Sequence, residues 1–443
     1  MLARMDWRLL GAALCLATLG ACRSHEREPR GGARSGVAIE APRAGRSGSV
    51  VRGAPSGATD GGRDAASPSA SAPGEAPLAV TADACLLVRG PVQLPFTGPA
   101  TLWLDERVTE AEPRILFNQG GVARQVTLRP APTAARPRPD GGTAGDRRTP
   151  ERLPSPETAP RATVPACAVA GGWLFCMDET GAIRRSSAPD EVGEVLARGR
   201  PGSPLAAAPI AGAHAVYAFL ATRRTTTGST LVALAGVDAD TPMRISEDGG
   251  GATLVTLARR GNGLVAMYVD ARRMFTPVHA RELGFGPGLL LGPDAVLFVA
   301  EGSESLVAGA IAQGAPGSEH ALLAMNKDEK EFGMAAIAID QPPRDDSPVS
   351  WSLYPGAAER APLAATQGSL PVQVLRARPA SAEPHATKVL ELGTLDPNGR
   401  FAPSCQVAEG PTFADLAIAV DRQGVLWLTY TDEGGTWLER RGR

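Results

Sequence analysis

The chain has 443 residues, 43% of them hydrophobic and 21% charged, with a formal net charge of -2. That length holds one large domain or two ordinary ones, and a near-neutral balance without a Lys/Arg stripe interleaved with aromatics excludes nucleic acid as a partner. With 51 Gly and 39 Pro, the chain is punctuated by turns rather than built on long helices.

At the N-terminus, Arg4 and Arg8 precede an apolar run from Leu9 to Leu19 and the small pair Gly20 and Ala21. This is the order of a signal peptide spanning residues 1–21. The run is shorter than the roughly 20 apolar residues a bilayer span needs. The residues Leu19-Gly20-Ala21-Cys22 resemble the lipobox of bacterial lipoproteins. The resemblance implies cleavage before Cys22 and a lipid on its thiol, so the membrane partner is engaged through the N-terminal lipid, and Arg23 at the next position points to the outer membrane. Residues 22–78 are rich in Gly, Ser, Ala, Pro and Arg and cannot bury enough surface to offset ordering entropy. They are read as a disordered tether with a reach on the order of 40 Å.

Four cysteines remain, Cys85, Cys167, Cys176 and Cys405, and an even count in an exported chain reads as two disulfides. A two-residue turn at Gly171-Gly172 pairs Ala170 with Trp173, Val169 with Leu174 and Ala168 with Phe175, which sets Cys167 opposite Cys176 within disulfide reach. By elimination Cys85 joins Cys405. The alternatives are buried free thiols or a four-cysteine metal site, the latter without the Cys-x-x-Cys spacing such sites use.

From Val80 onward, apolar runs of four to eight residues alternate with Gly, Pro, Asn and Asp, the pattern of short strands rather than helices. Runs such as Ala215–Leu220, Leu264–Val269, Val372–Leu375 and Leu416–Val420 predict an all-β domain over residues 79–443. A Pro/Arg/Gly/Thr-rich tract at 130–162 is read as a disordered insertion. Without it, roughly 330 residues divide into about seven units of roughly 47, the repeat of a β-propeller with about seven (six to eight) four-stranded blades.

Two turns resemble the Asp-box of bacterial neuraminidase repeats. Ser246-Glu247-Asp248-Gly249-Gly250-Gly251-Ala252-Thr253 carries its Ser, Asp and Gly, and Asp432-Glu433-Gly434-Gly435-Thr436-Trp437 carries its second half with Tyr430 in place of the Ser/Thr. In that family the box is a feature of the fold, so it implies architecture and not chemistry.

No metalloprotease, nucleophile-elbow, phosphate-loop or EF-hand signature is present. His214, His279, His320 and His385 are widely spaced, and Gly284, Gly286 and Gly288 lack the helix a dinucleotide site requires. No catalytic, metal or cofactor-binding residue is assigned. The chain is expected to be a monomeric, envelope-anchored propeller that binds a protein or glycan ligand. The alternative is a sialidase-like glycoside hydrolase, whose chemistry needs an arginine cluster, a tyrosine nucleophile served by a glutamate, and an acidic acid/base. Tyr217, Tyr268, Tyr354 and Tyr430 are the tyrosines, with Asp270, Arg272 and Arg273 after one of them. No family motif maps onto these positions. The tryptophans Trp103, Trp173, Trp351, Trp427 and Trp437 are expected to pack between sheets.

Overall fold

The computed structural model describes residues 78–79, 84–104, 112–126, 165–209, 215–222, 229–235, 243–246, 251–271, 275–285, 289–315, 317–327, 330–342, 349–358, 361–383 and 386–442. Cys22, the signal segment, the insertion at 130–162 and all of the tether except Leu78 lie outside these residues, as do His214, His385, Asp248, Arg272 and Arg273.

Among the described residues the strands form seven antiparallel sheets, which we number as blades I to VII, and one short parallel pair in which Leu78–Ala79 lies beside Ser369–Leu370. Blade I has three strands, Ala100–Trp103, Arg114–Gln119 and Val122–Val126. Blade II runs Ala168–Ala170, Trp173–Met177, Ala182–Ser186 and Glu194–Arg198, and blade III runs Leu205–Pro209, Ala215–Thr222, Ser229–Ala235 and Met243–Arg244. Blade IV comprises Gly251–Arg260, Gly263–Ala271, Phe275–Phe285 and Leu289–Glu301. Blade V comprises Ser305–Gln313, Glu319–Lys327, Glu331–Ala338 and Ser352–Pro355, and blade VI comprises Leu363–Ala365, Val372–Pro379, Lys388–Leu395 and Phe401–Gly410. In blade VII the strands Ala414–Val420, Leu426–Asp432 and Gly435–Arg441 are completed by an N-terminal strand, Leu87–Gln93.

Each blade packs on the next, and blade VII packs on blade I, so the sheets close into a ring with the first strand of each blade innermost. The chemistry follows from period-2 alternation between two buried faces. In the second strand of blade IV, Leu264, Ala266 and Tyr268 face blade III, while Val265, Met267 and Val269 face blade V. Every neighbouring pair has its own apolar cluster: Trp103 and Leu174 join blades I and II, Phe175 and Phe219 join II and III, Leu322 and Val374 join V and VI, and Phe96 and Leu438 join VII and I. Because a second strand is buried on both faces, it reads as a continuous apolar run.

One turn recurs at three different strand junctions. Asp178, Asp396 and Asp421 each open an Asp-x-x-Gly turn, where the carboxylate accepts hydrogen bonds from the backbone N–H groups two and four residues on. Burial works to raise the Asp178 carboxyl, but the hydrogen bonds from Thr180 and Ala182 outweigh it and hold the group below its ordinary value. The Asp-box-like hairpin uses the same device with an aromatic partner. Asp432 Oδ1 accepts from Gly434 N at 2.7 Å and from the Trp437 indole at 2.8 Å, and Thr436 Oγ1 accepts from Gly98 N at 2.9 Å. Of the other motif, Ser246 is buried while residues 247–250 lie outside the described residues. The Trp427 indole likewise donates to Asp421 at 2.9 Å, and Trp103 and Trp427 are buried.

Buried charge also joins blades. Glu391 accepts from Arg376 Nη2 at 3.0 Å with one oxygen and from Arg378 Nε at 2.8 Å with the other. Arg376 donates to the Tyr354 hydroxyl of blade V at 2.6 Å and lies 3.8 Å from the Phe401 ring centroid. Burial pushes the Glu391 carboxyl up, and the two guanidiniums more than reverse it, leaving the group below its ordinary value.

Both cysteine pairs are disulfides. Cys167 and Cys176 sit across the Gly171-Gly172 hairpin in the register Ala170–Trp173, Val169–Leu174, Ala168–Phe175, with Cα atoms 4.4 Å apart. Cys85 bonds Cys405 with Cα atoms 5.9 Å apart, tying the N-terminal strand of blade VII to the outer strand of blade VI. This pairing removes the free-thiol and four-cysteine alternatives.

Two measurements test these joints. Because the Cys85–Cys405 bond spans 320 residues and the Cys167–Cys176 bond spans 9, chain entropy predicts that removing the former costs about twice as much stability, on the order of 5 against 2.5 kcal/mol, as read by denaturant melts of the two double-alanine variants. Glu391→Gln leaves two guanidiniums facing a neutral amide and is expected to cost roughly 3–5 kcal/mol at neutral pH. Since the folded Glu391 lies below its ordinary value of 4.5, its stabilisation is complete above that value and is lost as pH falls through the folded one. The difference between wild type and variant therefore narrows below about pH 4.5, which melts at a series of pH values detect.

Candidate ligand cleft on blade IV

The seven innermost strands are dominated by Ala, Leu, Val, Gly and Thr, and their charged residues are Arg259, Arg260 and Asp415. Small side chains suit strands that converge on one axis. The arginine cluster and carboxylates that a sialidase-like reaction needs are not carried by these strands.

The four tyrosines are each built into packing between blades. Tyr217 stacks on Phe175 at 4.9 Å, and burial raises its hydroxyl to about 12 against the opposing effect of Arg185. Tyr268 donates to Asp294 Oδ2 at 3.1 Å and stacks on His279, whose Nδ1 lies 3.3 Å from the same oxygen. Burial first, then the Asp294 carboxylate, push the Tyr268 hydroxyl up. Tyr354 receives the Arg376 donor, and Tyr430 donates to Glu439 at 3.1 Å. Burial, then Glu439, raises Tyr430 as well. A nucleophilic tyrosine must be easily deprotonated; Tyr217, Tyr268 and Tyr430 are buried, with their hydroxyls held above the ordinary value. His320 is buried, with Nδ1 3.2 Å from Ser318 O.

The feature suited to a ligand lies instead at one end of blade IV, where Arg260, Gly263, Leu264, Glu282, Leu283, Gly284, Leu290, Leu291 and Gly292 line a half-open cleft of about 300 Å³. Each strand of the blade contributes. Two glycines set its depth: a Cβ on Gly263 would stand 2.6 Å from Leu283 O, and one on Gly292 would stand 2.9 Å from Glu282 Cβ. The outer strand walls it with Leu290 and Leu291, 52% and 38% exposed, an apolar surface left open to solvent. Gly284, set aside as a dinucleotide signal, is part of this lining.

Arg260 and Glu282 are the charged groups of the lining, 3.1 Å apart. Beneath them the buried Glu319 lies 3.8 Å from Arg260 Nε and accepts from Gln313 Nε2 at 3.1 Å and Gly317 N at 2.9 Å. Gln313 also donates to Arg259 O, coupling the base of the cleft to the innermost strand of blade V. Sequence reasoning missed this site. Its lining residues fall between 260 and 292 on four strands and form no motif; the available signal was the glycines and leucines of Leu283-Gly284 and Leu289-Leu290-Leu291-Gly292.

No family model and no curated protein sequence matches the chain. Solved structures do. The SapL1 lectin in complex with alpha methyl fucoside is similar at 12% identity, over 60% of this chain and 87% of that one, with a TM-score of 0.35. A subtype N10 neuraminidase-like protein of A/little yellow-shouldered bat/Guatemala is similar at 11% identity, over 62% and 93%, with a TM-score of 0.38. The six-bladed β-propeller lectin of Aleuria aurantia is similar at 11% identity, over 61% and 91%, with a TM-score of 0.32.

Proposed function

We propose that this protein is a lipid-anchored propeller of the bacterial cell envelope that binds a glycan at the rim of blade IV. The observation that carries the binding site is the cleft: a donor, Arg260, and an acceptor, Glu282, stand side by side above a floor opened by glycine and beside exposed leucines. A sugar ring presents the matching set, hydroxyls that donate and accept along its edge and C–H groups on its face. A few placed polar groups within an apolar lining are the general make-up of a small-ligand site. Anchoring rests on the signal-like segment and the Leu19-Gly20-Ala21-Cys22 sequence, with outer-membrane placement following from Arg23.

Arg260→Ala is expected to weaken binding by about 10- to 100-fold, the loss of one or two charged hydrogen bonds, in glycan-array titrations made at a temperature where thermal melts show the variant folded, since the change also leaves the buried Glu319 without its cation. Retention of full affinity would move the ligand elsewhere on the ring. Metabolic labelling with a radioactive fatty acid tests the anchor: Cys22→Ser should abolish the label and shift the protein from the membrane pellet to the soluble fraction.

A further inference from the structure

The geometry points to a cleft that selects neutral or amine-bearing sugars and rejects carboxylated and phosphorylated ones, an inference that rests on the glycan-binding reading and adds the class of ligand. One guanidinium stands there against two carboxylates. Arg260 is paired with Glu282 on the open side, at 3.1 Å, and with Glu319 beneath, at 3.8 Å. Glu319 is fixed in place by Gln313 and Gly317, and its side chain is 1% exposed, so solvent does little to screen it. The group of three carries one excess negative charge.

An acidic ligand that reached the remaining N–H groups of Arg260 would sit beside two carboxylates, with one cation among three anions. Like charges held at such range disfavour the complex, and a site built this way discriminates by repulsion as much as by attraction. A neutral hydroxyl faces no such conflict. It donates to a free lone pair of Glu282, while the remaining N–H groups of Arg260 meet a ring or hydroxyl oxygen. An ammonium group gains further from the surplus carboxylate. Leu290 and Leu291 cover the ring face without adding charge.

The test is a panel of immobilised oligosaccharides ending in a neutral hexose, an N-acetylhexosamine, a free-amine hexosamine, a uronic acid, a sialic acid or a phosphorylated hexose. It is probed with the full lipidated protein in detergent micelles. Wild type is expected to bind the neutral and amine-bearing members at least about tenfold more tightly than the acidic ones. Glu282→Lys leaves two cations against Glu319 and is expected to reverse the order by at least about tenfold; Glu282→Gln should flatten it. The Glu282 side chain is 45% exposed, and thermal melts confirm that each variant folds. Acidic glycans preferred by wild type, or an order unmoved by Glu282→Lys while Arg260→Ala still weakens binding, overturns the selectivity and leaves the binding site standing. Wild type that binds no member of the panel overturns both.

Discussion

Ring closure is the constraint on which the rest of the molecule depends. Seven sheets packed side by side have two raw ends, and an open array would expose the apolar face now shared by Phe96, Ile115 and Leu438. The chain solves this by lending Leu87–Gln93, from before blade I, to the outer edge of blade VII, where Val92 and Gln93 pair with Leu438 and Trp437. A disulfide from Cys85 to Cys405 backs the pairing. Arg441 joins the two devices: buried, it is paired with Glu439 at 2.7 Å and donates to the Cys85 carbonyl at 3.3 Å. Covalent, ladder and ionic links thus converge on one corner of the ring.

Within the closed ring, polarity is graded from the axis outward. Innermost strands use small residues, second strands are apolar on both faces, and outer strands such as Phe401–Gly410 are largely solvated. Between the apolar interfaces sit a few enclosed hydrogen-bonded charges, Glu391 with its two arginines and Glu439 with Arg441. Removing one partner of such a pair is costly, so they specify which blade faces meet more than they add to net stability. The Arg260, Glu282 and Glu319 group departs from this pattern because one of its members reaches the surface.

How much of this was legible in the sequence depended on the position of a strand in its blade. Second strands such as Leu264–Val269 and Trp173–Met177 announce themselves, because burial on both faces demands continuous apolar runs. Outer strands do not: Glu194–Arg198 and Phe401–Gly410 alternate weakly or not at all, since no residue of either is buried and pairing comes from the neighbour. Three of the five residues of the innermost strand Leu205–Pro209 are alanine, a residue depleted in strands. Turn chemistry was readable at Asp421 and Gly171-Gly172, where one local hydrogen-bond pattern decides the geometry. The cleft was not, because its shape comes from glycines on three separate strands brought into one plane by sheet register.

The corner where the ring closes has a mechanical consequence. Leu87–Gln93 runs antiparallel to Gly435–Arg441, with Leu87 opposite Arg441, so a pull on the chain from its N-terminal side would open the ladder one rung at a time, the weak direction for a strand pair. Cys85 lies two positions before that first rung. Tension arriving along the chain therefore meets a covalent bond to blade VI before it reaches any hydrogen bond of blade VII, and is passed to a sheet whose own strands are held by the interior of the ring. A ring pulled by its N-terminal segment would then be loaded through its framework and not through its seam.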